Sequence, residues 1–426
     1  MLPNGLRVVS QTMPAARSVS VGIVVGVGSR HEEGAQAGLS HLLEHLVFKG
    51  TRGYPVPGDL SEAVESCGGS VNAATDRELT VYSARVPAEA AGRALEVVAD
   101  VVLHPLLRQR DLVAEKPVIV DEIRMYTDSP GDHVFSLFDE LLFGGHALGR
   151  EIAGTPRSVR RATHEAVQGH WGSWYRPRHL VLAVAGAIEH QVVLDAARSW
   201  FEDDDPPGDD SGDVAGSPRL PAIVAPRPAP AGSVRVAHRR LAQGNLCLGM
   251  TGVARDDPDR WALDLLGAVL GDGMSSRLFL ELRERRSLVY DVSSFAATYA
   301  DCGTFGVHAG FDPDQAAVVV GAILEQLERV IQDPVSQSEL ARARAYTRGR
   351  LLLRMEESGA VASWLGTSES LLPRILTVEE VIERIEALSA DDLLRVARRY
   401  ARPDLARMAV LGPFRSRLAF EKMIPQ

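Results

Sequence analysis

"LSHLLEHLV", residues 39–47, has a counterpart in "ALDLLGAVL", residues 262–270. With His41 set against Asp264, Leu42 and Leu43 meet Leu265 and Leu266, while Leu46 and Val47 meet Val269 and Leu270. Apolar residues at these intervals lie along one face of a helix, and both copies keep that face. The polar positions differ: Glu44 meets Gly267 and His45 meets Ala268. A strand-like run precedes each helix, "SVSVGIVVGVG" (18–28) and "NLCLGMTGV" (245–253). The chain therefore reads as two distant copies of one unit. A purely structural role for these His and Glu side chains would have served both copies, so their restriction to one points to chemistry.

The length agrees, because 426 residues is too long for one ordinary core. Residues 203–233, "DDDPPGDDSGDVAGSPRLPAIVAPRPAPAGS", are poor in large apolar side chains and read as an exposed, semi-extended linker. The expected division is 1–202, 203–233 and 234–426. In the first half, 70–86 alternates as two paired strands turning at Asp76–Arg77, 178–188 is a buried strand, and 87–104, 108–128 and 189–201 have helical spacing. In the second, 312–331 and 336–358 are strong helices. A sheet packed with helices in each half gives an α+β fold class, not a doubly wound parallel sheet.

Composition narrows the function classes. A net charge of −10 with no basic stripe argues against nucleic acid. No apolar run approaches the roughly 20 residues that span a bilayer, so no membrane partner is expected. The start, "MLPNGLRVVSQTMP", lacks a basic region followed by an apolar stretch, and no secretory signal is read there. Cys67, Cys247 and Cys302 are scattered and odd in number, which suits free core thiols in a reducing, cytoplasmic compartment. Lysine occurs only at 49, 116 and 422, and arginine supplies the other cations, as GC-rich bacterial coding would produce.

Between Ser40 and Gly50, a plausible stop, His41 and His45 stand one helical turn apart, so both imidazoles reach one ion. Neutral imidazole suits Zn²⁺, which in catalytic centres keeps one of four tetrahedral positions open for water. Glu44 lies near the same face and can take a proton from such a water without occupying a coordination position. A third protein ligand is still required, and an amphipathic helix with surface His/Glu pairs would show the same five residues.

"GSRHEEGAQAGLSHLLEHLVFKGT" (28–51) resembles the motif of pitrilysin-type (inverzincin) metallopeptidases, which include the catalytic subunit of mitochondrial processing peptidase and bacterial processing-peptidase-like enzymes. "GGSVNAATDRELTVY" (68–82), "EKPVIVDEI" (115–123), "LGREIAGT" (148–155) and "SSRLFLELRERRSLVY" (275–290) follow in the family's order, so the resemblance covers nearly the whole chain. It implies two homologous halves of the fold that the processing peptidases share with an autoinducer-synthesising lyase. It implies Glu122 as the third zinc ligand, one Zn²⁺ per chain, and Glu115 as a supporting acid that orients a ligand or a water. Pro117 departs from the pattern, and a kink is expected between the two acids. The resemblance further assigns Arg283 and Tyr290 to the substrate carbonyl, and Asn72 and Ala73 to an edge strand on which an extended substrate pairs. Its implied activity is zinc-dependent endopeptidase, with Glu44 as general base, on peptides or unfolded segments inside a dimeric clam shell. A homodimer is expected, or a heterodimer with a related chain. The alternatives are a non-catalytic or heterodimer-dependent partner subunit, against which the kept base, ligands and Arg/Tyr pair argue, and a small-molecule metalloenzyme, against which the duplicated length and the 275–290 motif argue.

Overall fold

In "SVSVGIVV" (18–25) Val19, Val21, Ile23 and Val25 alternate with Ser18, Ser20, Gly22 and Val24, three of them smaller. Strand side chains point to opposite faces with a period of two, so this strand has one bulky face and one low face, and a sheet built on it can be covered on both sides. The computed structural model, which describes residues 1–201 and 225–425, has that arrangement. Of the expected linker 203–233, residues 203–224 lie outside the described residues, and 225–233 form no helix or strand.

The first sheet comprises β1 (Arg7–Thr12), β2 (Ser18–Val25), β3 (Ser70–Thr75), β4 (Thr80–Pro87) and β5 (Leu180–Gly186), in the order β1-β5-β2-β4-β3. The second comprises β6 (Val234–His238), β7 (Gly244–Gly252), β8 (Val289–Thr298), β9 (Gly303–Phe311) and β10 (Arg407–Gly412), in the order β6-β10-β7-β9-β8. Each sheet has one parallel pair, β1 with β5 and β6 with β10, and is otherwise antiparallel. The two topologies are the same, strand for strand, as expected of a duplication. β3 and β8 are the corresponding edge strands.

The helices up to residue 201 are α1 (Leu39–Val47), α2 (Asp59–Glu65), α3 (Ala91–Leu103), α4 (Gln109–Asp128), α5 (Pro130–Phe143), α6 (Pro156–Arg161), α7 (His164–Trp174) and α8 (His190–Phe201). Those after residue 225 are α9 (Arg260–Gly271), α10 (Ala316–Gln332), α11 (Gln337–Arg354), α12 (Ser358–Leu371), α13 (Val378–Ala387), α14 (Ala390–Tyr400) and α15 (Arg417–Glu421). Among the described residues, no helix is long and apolar enough to cross a membrane.

The chain divides into two compact units that exchange segments. The first takes Met1–Ile123, the described residues of Glu151–Ala222, and Leu353–Ile375; the second takes Arg124–Arg150, most of the remaining chain to Leu352, and Leu376–Gln426. In the first unit, Val19, Val21, Ile23 and Val25 join Val97, Val98, Val101 and Val102 of α3 in one core. The low face of β2 receives α12 from far along the chain. Ser20 Oγ meets Ser358 Oγ at 2.9 Å, and a Cβ placed on Gly366 would stand 2.7 Å from Val24 Cγ2 and 2.9 Å from Ala183 Cβ. In the second unit α5 takes the corresponding place: Val134, Leu137 and Phe138 share a core with Cys247 of β7, and the Phe138 ring lies over Gly249. Small residues on one face of β2 and β7 thus admit a helix from the other half of the sequence.

This packing gives a direct test. Gly366→Val forces side-chain atoms into space already filled by Val24 and Ala183, and overpacking of this kind costs about 1–3 kcal/mol. Chemical denaturation of the variant is expected to show that loss, whereas Gly349→Val, whose added Cβ meets nothing within 4 Å, is expected to cost less.

The helix around Pro117 is seen in full, and the reading of three core thiols needs correction. The helix of 108–128 runs unbroken from Gln109 to Asp128 with Pro117 inside it. Pro117 is exposed, and the carbonyl it deprives of a donor belongs to Val113, which is 58% exposed, so that donor is lost on the solvent side. Of the three free cysteines only Cys247 is buried; Cys67, in the turn after α2, and Cys302, in the turn before β9, are half-buried.

Candidate metal centre

α1 buries Leu42, Leu43, Leu46 and Val47, each at most 1% exposed, and packs against β3 and α7. That burial fixes the rotation of the helix, so the remaining face, with His41, Glu44 and His45, is turned toward the C-terminal part of α4. The two imidazoles meet edge to face with ring centres 4.6 Å apart. Glu122 completes the group: its Oε1 is 3.6 Å from His41 Nε2 and its Oε2 is 3.4 Å from His45 Nε2. Among the described residues these three form the one cluster of His, Cys, Asp or Glu side chains able to hold a metal ion. One ligand atom from each of the three lies within 4.8 Å of the others, near enough to share a single ion. Two nitrogens and one carboxylate oxygen are also a donor set that zinc accepts while keeping a fourth position open. The residues fit the ion.

Glu115 lies two turns before Glu122 and faces the same imidazole from the other side. Its Oε1 accepts a hydrogen bond from His45 Nδ1 at 2.9 Å, and its Oε2 pairs with Lys49 Nζ at 2.7 Å. An ionised carboxylate only accepts, so this bond keeps the proton on Nδ1 and leaves the Nε2 lone pair directed at Glu122 and His41. Both acids address His45 despite Pro117. His41 Nδ1, by contrast, is buried without a hydrogen-bond partner.

The electrostatics suit a cation. Burial, then repulsion from His45, lowers the pKa of His41 to about 4, so this imidazole is neutral at pH 7. Burial also pulls His45 down, but the bond to Glu115 and the charges of Glu122, Glu115 and Glu44 outweigh it and leave its pKa raised. Burial opposes ionisation of Glu115, yet the bonds from His45 and Lys49 hold its pKa below the usual range. For Glu44 burial raises the pKa, the Thr75 bond and the His45 charge oppose this, Glu122 adds to it, and the net shift is upward.

Glu44 stands beside the cluster without joining it, and accepts a hydrogen bond from Thr75 Oγ1 at 2.5 Å. Thr75 ends β3, so the expected base is tied to the edge strand. On that strand Asn72 is exposed and Ala73 half-buried, with Asn72 Oδ1 accepting from Ala73 N at 3.0 Å. Arg283 and Tyr290 belong to the second unit. Arg283 is exposed on a π-helical turn, Phe279–Arg285, its guanidinium 5.1 Å from the Phe279 ring. Tyr290 is 52% exposed at a bulge of β8, where pairing with β9 slips between Val289 and Asp291. Sequence reasoning did not single out Thr75 or Lys49. Thr75 lay within the quoted edge-strand motif, whereas Lys49 is one turn from His45 and gains meaning only through Glu115, far along the chain.

Comparison with known proteins adds three kinds of finding. Residues 7–156 match the family model described as insulinase (peptidase family M16), and residues 161–346 match that of the peptidase M16 inactive domain. A protein of Streptomyces coelicolor, named as an uncharacterized zinc protease, is 38% identical over 98% of this chain and 90% of its own length. The crystal structure of a protease from Helicobacter pylori superposes with a TM-score of 0.88 at 24% identity, covering 97% of this chain and 98% of that one. The structure of a peptidase M16 inactive domain from Pseudomonas fluorescens follows at 0.86 and 20%, covering 97% of each chain. These two structures share the fold described above. The "inactive" description falls on the copy in which Asp264, Gly267 and Ala268 stand where the first has His41, Glu44 and His45.

Proposed function

The chain belongs to peptidase family M16, the insulinase family, and on that premise we propose that it is a zinc-dependent endopeptidase acting on peptides or unfolded segments. The observation that carries this reading is the convergence of His41, His45 and Glu122 with an unligated carboxylate, Glu44, beside them. Zinc bound by those three residues supplies a polarised carbonyl and a water whose pKa is lowered to about 7. Glu44 takes the proton from the attacking water and returns it to the leaving amine nitrogen. Glu115 holds His45 in the ligating tautomer. β3, an edge strand paired among the described residues with β4 alone, offers its outer backbone edge to an extended substrate, with Asn72 and Ala73 along it. Arg283 and Tyr290 contribute donors to the substrate carbonyl from the second unit of a partner chain, and the working form is a cytoplasmic dimer.

The direct test is metal content together with cleavage of a quenched, unstructured peptide. One zinc per chain with turnover supports the reading. Zinc without cleavage by the protein alone favours dependence on a second chain, and absence of zinc removes the peptidase reading. Sharing across a dimer is tested by mixing Glu44→Gln protein with Arg283→Ala/Tyr290→Ala protein: regained activity supports it, and none after subunit exchange rejects it.

The Thr75–Glu44 bond gives a smaller, separate effect. Thr75→Val keeps the shape and removes the donor, and hydrogen bonds to charged groups contribute about 1.5–3 kcal/mol. We expect kcat to fall at least about tenfold with zinc content unchanged. A wild-type kcat would mean that the bond does not orient the base.

A further inference from the structure

We infer that Glu32 is a positioning residue for the metal centre: its buried carboxylate holds the N-terminus of α1 and thereby sets where His41 and Glu44 stand. The inference rests on the zinc-peptidase reading above and adds a residue to it. The first turn of a helix leaves backbone N–H groups without intrahelical partners, and a Ser, Thr, Asp or Asn at the cap normally serves one of them. At α1 the cap is Gly38, in the left-handed conformation with φ of 94°, and it has no side chain to offer. A Cβ there would lie 2.5 Å from the Ala153 carbonyl oxygen, so no side-chain cap fits the position.

Glu32 replaces it from outside the helix. Its Oε2 accepts from Gly38 N at 2.7 Å and its Oε1 from Ser40 N at 2.6 Å, and the residue is only 7% exposed. Both oxygens are engaged by donors one turn or less from His41. Charge-assisted bonds at the positive end of a helix are the stronger kind, and a bidentate pair fixes orientation as well as distance.

The segment that carries Glu32 is itself anchored, and the anchor is the turn that follows the substrate strand. Ser29 N donates to Asp76 O at 3.2 Å and Arg30 N to Arg77 O at 2.8 Å. The Arg30 guanidinium pairs with Glu78 at 2.8 Å, the two side chains only 3% and 4% exposed. From that turn β3 runs back through Thr75 to Glu44. The contacts close a ring: Glu32 to the start of α1, Glu44 to Thr75, and the β3–β4 turn back through Arg30 to Glu32. Such a ring keeps the ligands and the base at a fixed distance from the strand that receives the substrate, and sub-ångström placement of this kind governs both metal affinity and rate.

The experiment is to compare wild type, Glu32→Gln and Glu78→Gln. The readouts are zinc affinity of the apo-protein by chelator competition, thermal melting without metal, the visible spectrum of the Co²⁺-substituted form, and kcat and KM. In Glu32→Gln the side-chain amide offers one acceptor oxygen and sets an N–H donor against the second backbone donor. We expect zinc affinity to fall about tenfold or more, the cobalt spectrum to shift, and kcat to fall with KM within a factor of two. Glu78→Gln, which loosens the anchor at Arg30, is expected to lower zinc affinity severalfold and carries the test if the first variant does not fold. Wild-type affinity, spectrum and kcat in folded variants, with only the melting temperature lowered, would overturn the inference and leave Glu32 a stabilising residue. Loss of the peptidase reading looks different: wild type would bind zinc and cleave nothing, while the affinity comparison would stand.

Discussion

Glu44→Gln is expected to keep one zinc per chain and to lose about 10³-fold in kcat. The side chain is not among the three that converge on the metal position, so the amide leaves the ligand set intact. It is also isosteric, and its carbonyl oxygen can still accept the Thr75 hydroxyl proton, so packing against β3 is kept. What it cannot do is accept and release a proton. General acid–base catalysis contributes typically 10²–10⁴-fold, and the same residue serves both water and amine here. KM should change little, because no ground-state contact is removed. Metal analysis beside steady-state kinetics reads both halves of the prediction. A variant with more than about a tenth of wild-type kcat would remove Glu44 from the reaction.

The second large effect is on the metal itself. Glu122→Ala removes one of three ligands, and zinc affinity should fall by far more than the ~10–100-fold typical of losing an outer partner, which is the range expected for Glu115→Gln. Chelator competition on the apo-proteins measures both, and equal losses would mean that Glu122 is not a ligand. The same titration in wild type should depend on pH. Burial keeps His41 neutral down to about pH 4, so it offers zinc no proton to displace above that. The pKa of His45 is raised by its acidic neighbours, so below neutrality a proton competes for Nε2. Zinc affinity should therefore fall as the pH drops below the raised pKa of His45, approaching about tenfold per pH unit, the slope of one proton. A flat profile would contradict the raised affinity of His45 for protons.

Much of this site was legible in the sequence because its decisive contacts are periodic. His41 and His45 share a helix face through a spacing of four, and Glu115 and Glu122 share one through a spacing of seven, so the structure brings together side chains whose faces could be assigned in advance. The duplication was legible for the same reason, since an apolar stripe survives the loss of the polar residues. Glu32 was not, because the usual sign of a helix start is a cap residue with a partner three positions on, and here the acceptor reaches back across a loop of six residues. The exchange of α5 and α12 was equally hidden. Ser20, Gly22, Cys247 and Gly249 announce a low sheet face, but alternation does not say which helix will fill it. Pro117 is accommodated inside a continuous helix because, on the solvent side, it removes a donor where water is at hand.

That exchange has a consequence for how the protein is made. Translation delivers all five strands of the first sheet by residue 186, but the helix that covers its low face begins at Ser358. On the ribosome, the first half must therefore wait with an open apolar surface while most of the second half is synthesised. Domains that fold as contiguous pieces escape this interval, and chains that cannot are the ones most exposed to aggregation and most in need of chaperones. The two halves descend from one ancestral unit, yet neither can be excised as a finished piece of protein by cutting the gene between them.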